Sequence, residues 1–354
     1  MSRRAVVVKL GSSTLVDARG RARQRVFRQV ADDLASLAGA GTPVAVVSSG
    51  AIALGLGARG QTARPRRVAD LQAASAIGQS LLVRRWETAL RRHGLPCAQV
   101  LLTAGDIHRR DGYVNARHTL ETLLRWDTVP IVNENDSTAT DEITFGDNDA
   151  LAAQVAVLLR ARLLVLLTDI DGLYDRDPRT PHARQIAEVG DHSLLADLDV
   201  GGTSSSWGSG GMRSKVVAAE MASTGGVGAV IASGHRPGAL LAAAKGEAGG
   251  TRFRADPRPM PAYKLWIRYG KPVRGRLEVD AGARDAVVEK GTSLLAVGLR
   301  GVDGSFAAGD AVHVCLDGTP FAVGITRYPA ADLRRLAGVR GVDEAVHRDN
   351  LVVL

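Results

Sequence analysis

Apolar and polar positions along the first 245 residues alternate between two rhythms. Short, nearly unbroken apolar runs at Ala5–Lys9, Val44–Ser48, Gln99–Leu102, Val129–Asn133, Leu163–Thr168 and Ala229–Ala232 predict buried strands. Between them, Ala- and Leu-rich stretches predict helices near 22–39, 68–93, 115–126, 147–160 and 213–224. Continuous apolar strands alternating with helices imply an α/β fold, with a mostly parallel sheet sandwiched by helices. The pattern then changes. Glu247–Pro261 is rich in Gly, Pro and Arg, has no period, and reads as a linker. Beyond it, short strands are expected at Arg276–Val279, Ser293–Ala296, Ala311–Cys315, Phe321–Ile325 and Val346–Leu354, in a small β-rich barrel or sandwich. The expected domains are 1–250 and 269–354, joined by a linker over 251–268.

In open parallel sheets, ligands bind beyond the carboxyl ends of the strands. Here four predicted strands run into Lys9-Leu-Gly-Ser-Ser, Ser48-Ser-Gly-Ala, Asn133-Glu-Asn-Asp and Thr168-Asp. Each ending is small, polar or charged, which suits anions or amines. Gly208-Ser-Gly-Gly-Met-Arg-Ser-Lys215 runs straight into a predicted helix. Its glycines let backbone N–H groups approach an anion, and the helix N-terminus and Lys215 add positive charge. Ser48-Ser-Gly-Ala offers hydroxyls and N–H groups for a carboxylate. Asn133-Glu-Asn-Asp136 and Gly146-Asp-Asn-Asp149 supply acceptors for an amino group, and Asp149 is placed to orient the lysines. The bland alternatives are a Gly/Ser linker and Asx-rich turns. A GxxxxGK[ST] phosphate loop is absent from the sequence. The one GxGxxG, at Gly55, Gly57 and Gly60, follows a helix-like stretch and reads as a flexible turn.

Composition narrows the class. Apolar residues at 45 % and charged residues at 23 % are ordinary for a globular chain, while aromatics at 4 % leave the core to Ala, Val and Leu. Cys97 and Cys315 lie far apart, without a CxxC or a Cys/His cluster, so neither a disulfide framework nor a metal site is expected. A reducing cytoplasm fits. The N-terminal apolar run is too short for a signal segment, and the Ala150–Leu167 stretch is broken by Gln154, Arg160 and Arg162, so no membrane span is expected. The net charge of +8 raises the question of nucleic acid. Residues 269–354 carry 11 basic and 11 acidic side chains, which argues against RNA binding by the C-terminal part.

The motifs KLGSS, VVSSGAI, NENDS, GDNDA, LLTDIDGLYD and GSGGMRSK stand in the order and spacing of the glutamate 5-kinases, a branch of the amino-acid kinase family. The likeness spans essentially the whole chain, and the C-terminal part resembles the PUA module of that branch. The resemblance implies transfer of the ATP γ-phosphoryl group to the side chain of L-glutamate, the first step of proline biosynthesis. It implies that Lys9 and Lys215 neutralise the transferring group and that Asp149 holds them. It implies that Ser49, Asn133, Asp136 and Asn148 bind glutamate. ATP would be held by Lys9, Thr168, Asp169, Ser209, Gly210, Gly211, Met212, Arg213, Ser214 and Lys215, with Mg²⁺ carried mainly on the nucleotide phosphates. Also implied are proline as a feedback inhibitor acting near 105–115, a homo-oligomer, and hand-over of the labile product to the next enzyme. Arg213 stands where a small polar residue is usual.

Overall fold

The computed structural model describes residues 4–61, 63–138, 148–190, 211–247 and 249–354. Its first strand sets the frame. β1 (Val6–Leu10) is completely apolar except for Lys9, and it lies in the middle of an eight-stranded sheet. In chain order the first unit runs α1 (Ser12–Leu15), α2 (Gln24–Gly39), β2 (Val44–Ser48), α3 (Ala51–Ala58), α4 (Val68–Arg91), β3 (Cys97–Leu102), α5 (Ala104–His108), α6 (Arg110–Arg125) and β4 (Val129–Glu134). It continues with α7 (Asn148–Leu158), β5 (Leu163–Thr168), β6 (Leu173–Tyr174), β7 (Gln185–Ile186), β8 (Glu188–Val189), α8 (Met212–Thr224), β9 (Gly228–Ser233), α9 (Ala239–Lys245) and β10 (Thr251–Phe253).

The sheet order is β3-β4-β2-β1-β5-β9-β10-β8. The six strands from β3 to β9 pair in parallel, and all six coincide with expected strands. Period-two alternation divides β1 between the two faces. Val6, Val8 and Leu10 join a core with α2, α3, α4 and α9. Val7 and Lys9 therefore face the other side, where α7 packs on β1, β5 and α8. The buried leucines of β5 illustrate the stakes: Leu164 and Leu166 are fully buried, and truncating such a side chain costs about 2–5 kcal/mol.

Two expectations are corrected. Gly55 and Gly57 are not in a flexible turn but inside α3, and only Gly60 lies beyond the helix, in the left-handed region at φ 68°. Their role is close approach. A Cβ on Gly55 would sit 1.9 Å from the Ala74 carbonyl oxygen of α4, and one on Gly78 would sit 1.7 Å from the Ala51 carbonyl oxygen. The stretch read as a linker begins instead with β10, which adds antiparallel to β9 and parallel to β8.

The chain divides into compact units at Met1–Pro259 and Met260–Leu354. The second opens with α10 (Ala262–Leu265) and a π-helical turn, Trp266–Gly270. It continues with β11 (Val273–Val279), α11 (Ala281–Val288), β12 (Leu294–Leu295), β13 (Leu299–Gly304), β14 (Ala311–Leu316), β15 (Thr319–Ile325), α12 (Ala330–Leu336), β16 (Glu344–Val346) and β17 (Leu351–Val353). Its five-stranded sheet has the order β13-β11-β14-β15-β17 over its own apolar core. Asp317 and Gly318, both with positive φ, close the β14–β15 hairpin as a Asp-Gly turn should. The strand expected at Val346–Leu354 is split into β16 and β17 by a 3₁₀ turn at Arg348–Asn350. Cys97 and Cys315 are free thiols.

Candidate active site

A lysine on a buried strand needs a partner, and Lys9 finds one on the helix that covers its face. Its Nζ contacts Asp149 Oδ1 in the first turn of α7. Lys215, in the first turn of α8, donates from Nζ to Asp149 Oδ2 at 3.2 Å. Ser214 Oγ donates to the same oxygen at 2.8 Å, and Gly211 O accepts from both Ser214 Oγ and Lys215 Nζ. Lys9 and Lys215 are only 4 % and 7 % exposed, and Asp149 is fully buried. Burial opposes ionisation of Asp149, yet the charges of Lys9 and Lys215 and the hydrogen bonds from Lys9 and Ser214 hold its carboxyl well below the usual carboxylate range.

This triad is not neutral. Two ammonium groups share one carboxylate, which leaves a net positive charge where burial makes charge costly. A purely structural ion pair would be matched one to one. The surplus calls for a bound anion. Gly11, directly after β1, lies beside Lys9 Nζ: a Cβ built on it would be 3.9 Å from that nitrogen. The N-terminal turns of α7 and α8 add positive ends of two helix dipoles at the same place.

On the β2–β4 side of β1 lies a polar cluster. Asn148 Nδ2 donates to Ser49 Oγ and to Asn133 Oδ1, both at 2.9 Å. Asn133 Oδ1 also accepts from the Glu134 amide at 2.9 Å. Asn148 Oδ1 is buried and has no hydrogen-bond partner among the described residues, so it is ready for a donor from a ligand. Asp136, 8 % exposed, accepts from Ser75 Oγ at 2.6 Å. Burial pushes its carboxyl above the usual range, while the Ser75 hydrogen bond and the Arg64 charge pull the other way. Ser49 follows β2, whose last residue Ser48 pairs with Leu10, and the Ser49 amide donates to Leu10 O at 3.0 Å. Gly50, at φ 107°, turns the chain from there into α3.

On the β5 side, Thr168 ends its strand, and its Oγ1 donates to Asp169 Oδ1 at 2.9 Å. Gly211, Met212, Arg213, Ser214 and Lys215 begin α8, with the Arg213 side chain exposed. Ser209 and Gly210 lie outside the described residues. So Lys9, Asp149, Ser214 and Lys215 meet in one cluster, and Ser49, Asn133 and Asn148 meet in an adjoining one. Asp136 is two residues beyond the β4 end of that second cluster. Thr168 and Asp169 are bonded to each other rather than to the lysines.

Sequence reading missed Ser75, which is fully buried on α4 and reaches Asp136 across 61 positions. The available signal was faint: Ser75 and Gln79 are polar residues on a face of α4 that also buries Leu71, Leu82 and Trp86.

Comparison with known proteins agrees with this chemistry. The amino acid kinase family model matches residues 4–233, and the PUA domain model matches residues 275–352. A glutamate 5-kinase of Myxococcus xanthus (strain DK1622) is 45 % identical over 100 % of this chain and 97 % of its own length. A glutamate 5-kinase of Streptomyces coelicolor (strain ATCC BAA-471 / A3(2) / M145) is 45 % identical over 99 % of this chain and 96 % of its own. Among solved structures, carbamate kinase from Giardia lamblia bound to AMP-PNP gives a TM-score of 0.52 at 21 % identity, covering 72 % of this chain and 100 % of that one. At that identity the likeness speaks for the fold alone. A buried cationic cluster at the ligand end of a parallel sheet and full-length likeness point the same way: the chain belongs to the amino acid kinase family, on its glutamate 5-kinase branch, with a PUA domain following the kinase fold.

Proposed function

We infer that the site transfers the γ-phosphoryl group of ATP to the side-chain carboxylate of L-glutamate, giving L-glutamyl 5-phosphate as the first step of proline biosynthesis. A carboxylate is ionised at neutral pH, so its oxygen attacks phosphorus without a general base. The new O–P bond forms as the bond to the β–γ bridging oxygen breaks, and that electron pair leaves on ADP. The obstacle is repulsion between two anions and negative charge on the transferring oxygens. Positioning and electrostatic stabilisation therefore carry the reaction.

Lys9 and Lys215 supply the charge, and Asp149 keeps them together at the boundary between the two halves. On the acceptor side, Asp136 offers a carboxylate, and Asn148 a carbonyl that has no partner among the described residues, for the α-ammonium group, while Ser49 and Asn133 hold Asn148 in place. On the other side, Thr168, Asp169 and the start of α8 are assigned to ATP, together with Ser209 and Gly210. Mg²⁺ belongs to the nucleotide in this reading. Among the described residues no three His, Cys, Asp or Glu side chains group as a cage for it. When bound with ATP, it would neutralise phosphate charge.

The observation that carries this reading is the two-to-one ratio of buried ammonium groups to carboxylate. Hydroxylamine trapping of the acyl phosphate tests it, using ATP with glutamate, aspartate and N-acetylglutamate in parallel. Trapped hydroxamate is expected with glutamate, and hydroxamate from another acceptor alone would overturn the assignment.

Proline inhibition is proposed at the acceptor half. β3 pairs with β4 so that Leu101 lies beside Asn133, and 105–115 follows directly as α5 and the first part of α6. A homo-oligomer and hand-over of the labile acyl phosphate remain proposals from the family likeness. No helix among the described residues is long and apolar enough to cross a membrane. We place the enzyme in the cytoplasm, where the two free thiols stay reduced.

A further inference from the structure

One helix bonds to the β2 and β4 ends of the acceptor half without contributing a residue assigned to substrate. α4 carries Ser75, Gln79 and Trp86 on one face, separated by four and seven positions. All three are buried: Ser75 and Trp86 completely, Gln79 to within 7 %. Ser75 Oγ donates to Asp136 Oδ2 at 2.6 Å. Gln79 Nε2 donates to Glu134 O at 3.2 Å, and its Oε1 accepts from Gln99 Nε2 at 3.2 Å. Trp86 Nε1 donates to Ser48 Oγ at 2.9 Å.

These bonds close a ring. From α4, Trp86 reaches Ser48, whose neighbour Ser49 accepts from Asn148. Asn148 bonds to Asn133, Asn133 accepts from the Glu134 amide, and Glu134 and Asp136 return to α4 through Gln79 and Ser75. The helix itself is fixed from behind. The Gly55–Ala74 and Ala51–Gly78 backbone contacts leave no room for a side-chain atom between α3 and α4. Those contacts flank Ser75 and Gln79 directly. α3 in turn starts at the turn that presents Ser49.

We propose that α4 is the positioning element of the acceptor half, with Ser75, Gln79 and Trp86 as positioning residues that fix the strand ends bearing Ser49, Asn133 and Asp136, and with Ser75 setting the orientation of Asp136. A hydroxyl donated to a buried carboxylate is a charge-assisted bond, and its net worth is comparable to a tenfold change in binding or more. Ser75 Oγ makes no other hydrogen bond among the described residues, and the neighbouring Ala74 and Gly78 are explained by the helix crossing. The three residues act on the acceptor side: none of their four hydrogen bonds goes to Lys9, Asp149, Thr168 or α8.

The inference rests on the acceptor reading given above, so its test must separate the two. Steady-state kinetics on the full chain would compare Ser75→Ala, Ser75→Thr and Asp136→Ala with the parent. Ser75→Ala is expected to raise the glutamate KM roughly tenfold while the ATP KM stays within about twofold. Ser75→Thr, which keeps the hydroxyl, is expected to restore most of the loss. A merely structural serine would lower the melting temperature and leave the ratio of the two KM values unchanged. That outcome, with Asp136→Ala still raising the glutamate KM, would overturn the positioning role and leave the acceptor assignment standing. If neither Ser75→Ala nor Asp136→Ala moves the glutamate KM, the acceptor assignment falls and the positioning role with it. Should Ser75→Ala fail to fold, Gln79→Met gives the same reading, because it keeps the volume and removes both amide bonds: a selective rise in glutamate KM supports the proposal, and an unchanged ratio overturns it.

Discussion

The two units of this chain bury very different things. Among the described residues, the first unit buries Lys9, Asp33, Asp136, Asp149 and Lys215, along with Ser48, Ser75, Gln79, Asn133, Asn148 and Thr168. The second buries a single polar side chain, Thr326, whose Oγ1 donates to Ala307 O. Both units have a sheet and an apolar core, so stability does not require buried charge. Ions and amides taken out of water are costly unless paired. Apart from Asp33 on α2, the buried charges gather beside the carboxyl ends of β1 and β4, and there the chain accepts instability in exchange for chemistry. The second unit shows what this chain does when only packing is at stake.

The largest way to break the comparison is Asp149→Asn. It removes the one carboxylate that pairs with both buried ammonium groups among the described residues, and such losses cost about 3–5 kcal/mol. Thermal or urea unfolding would measure this, and ATP is expected to recover part of it by supplying negative charge. A variant as stable as the parent would mean that the triad is less isolated from water than its burial implies.

Next in size is Asp136→Ala, which is expected to raise the glutamate KM at least tenfold and to move the ATP KM little. Ordered the other way, the result would place Asp136 on the nucleotide side. The pH dependence sharpens the same point. Burial raises the folded-state pKa of Asp136, so acidification protonates it earlier than an exposed carboxylate and removes its charge. The glutamate KM should climb before the ATP KM as pH falls below neutrality. At the small end, Thr326→Val in the second unit removes one hydrogen bond of roughly 1 kcal/mol and should leave both KM values unchanged. A shift in either would tie that core to the site.

How far the chain was legible follows from the range of each interaction. β1, β2, β4, β5 and β9 are long apolar runs, and local pattern sufficed. α3 was hidden because Gly55 and Gly57 are read locally as chain breakers, whereas their cause is distant backbone: Ala74 of α4 against Gly55, and Gly20 against Gly57. β10 was hidden because three residues in a Gly-, Pro- and Arg-rich stretch carry no period, and only the open edge of β9 recruits them. Lys9, Asp149 and Lys215 were legible as types of residue at strand and helix ends. That they share one carboxylate was not, since the contact spans more than sixty positions. The alternation in β1 does foretell part of it, by placing Lys9 on the face opposite Leu10. Ser75, Gln79 and Trp86 resemble ordinary helix residues until the strands they reach are in place.

The central claim is that two ammonium groups, gathered on one buried carboxylate, hold two mutually repelling anions in line. It is tested most directly by measuring kcat for Lys9→Ala and Lys215→Ala at saturating glutamate and ATP. Each is predicted to fall by roughly 10²–10³, the scale of one lost electrostatic donor. Turnover near that of the parent in either variant would contradict it.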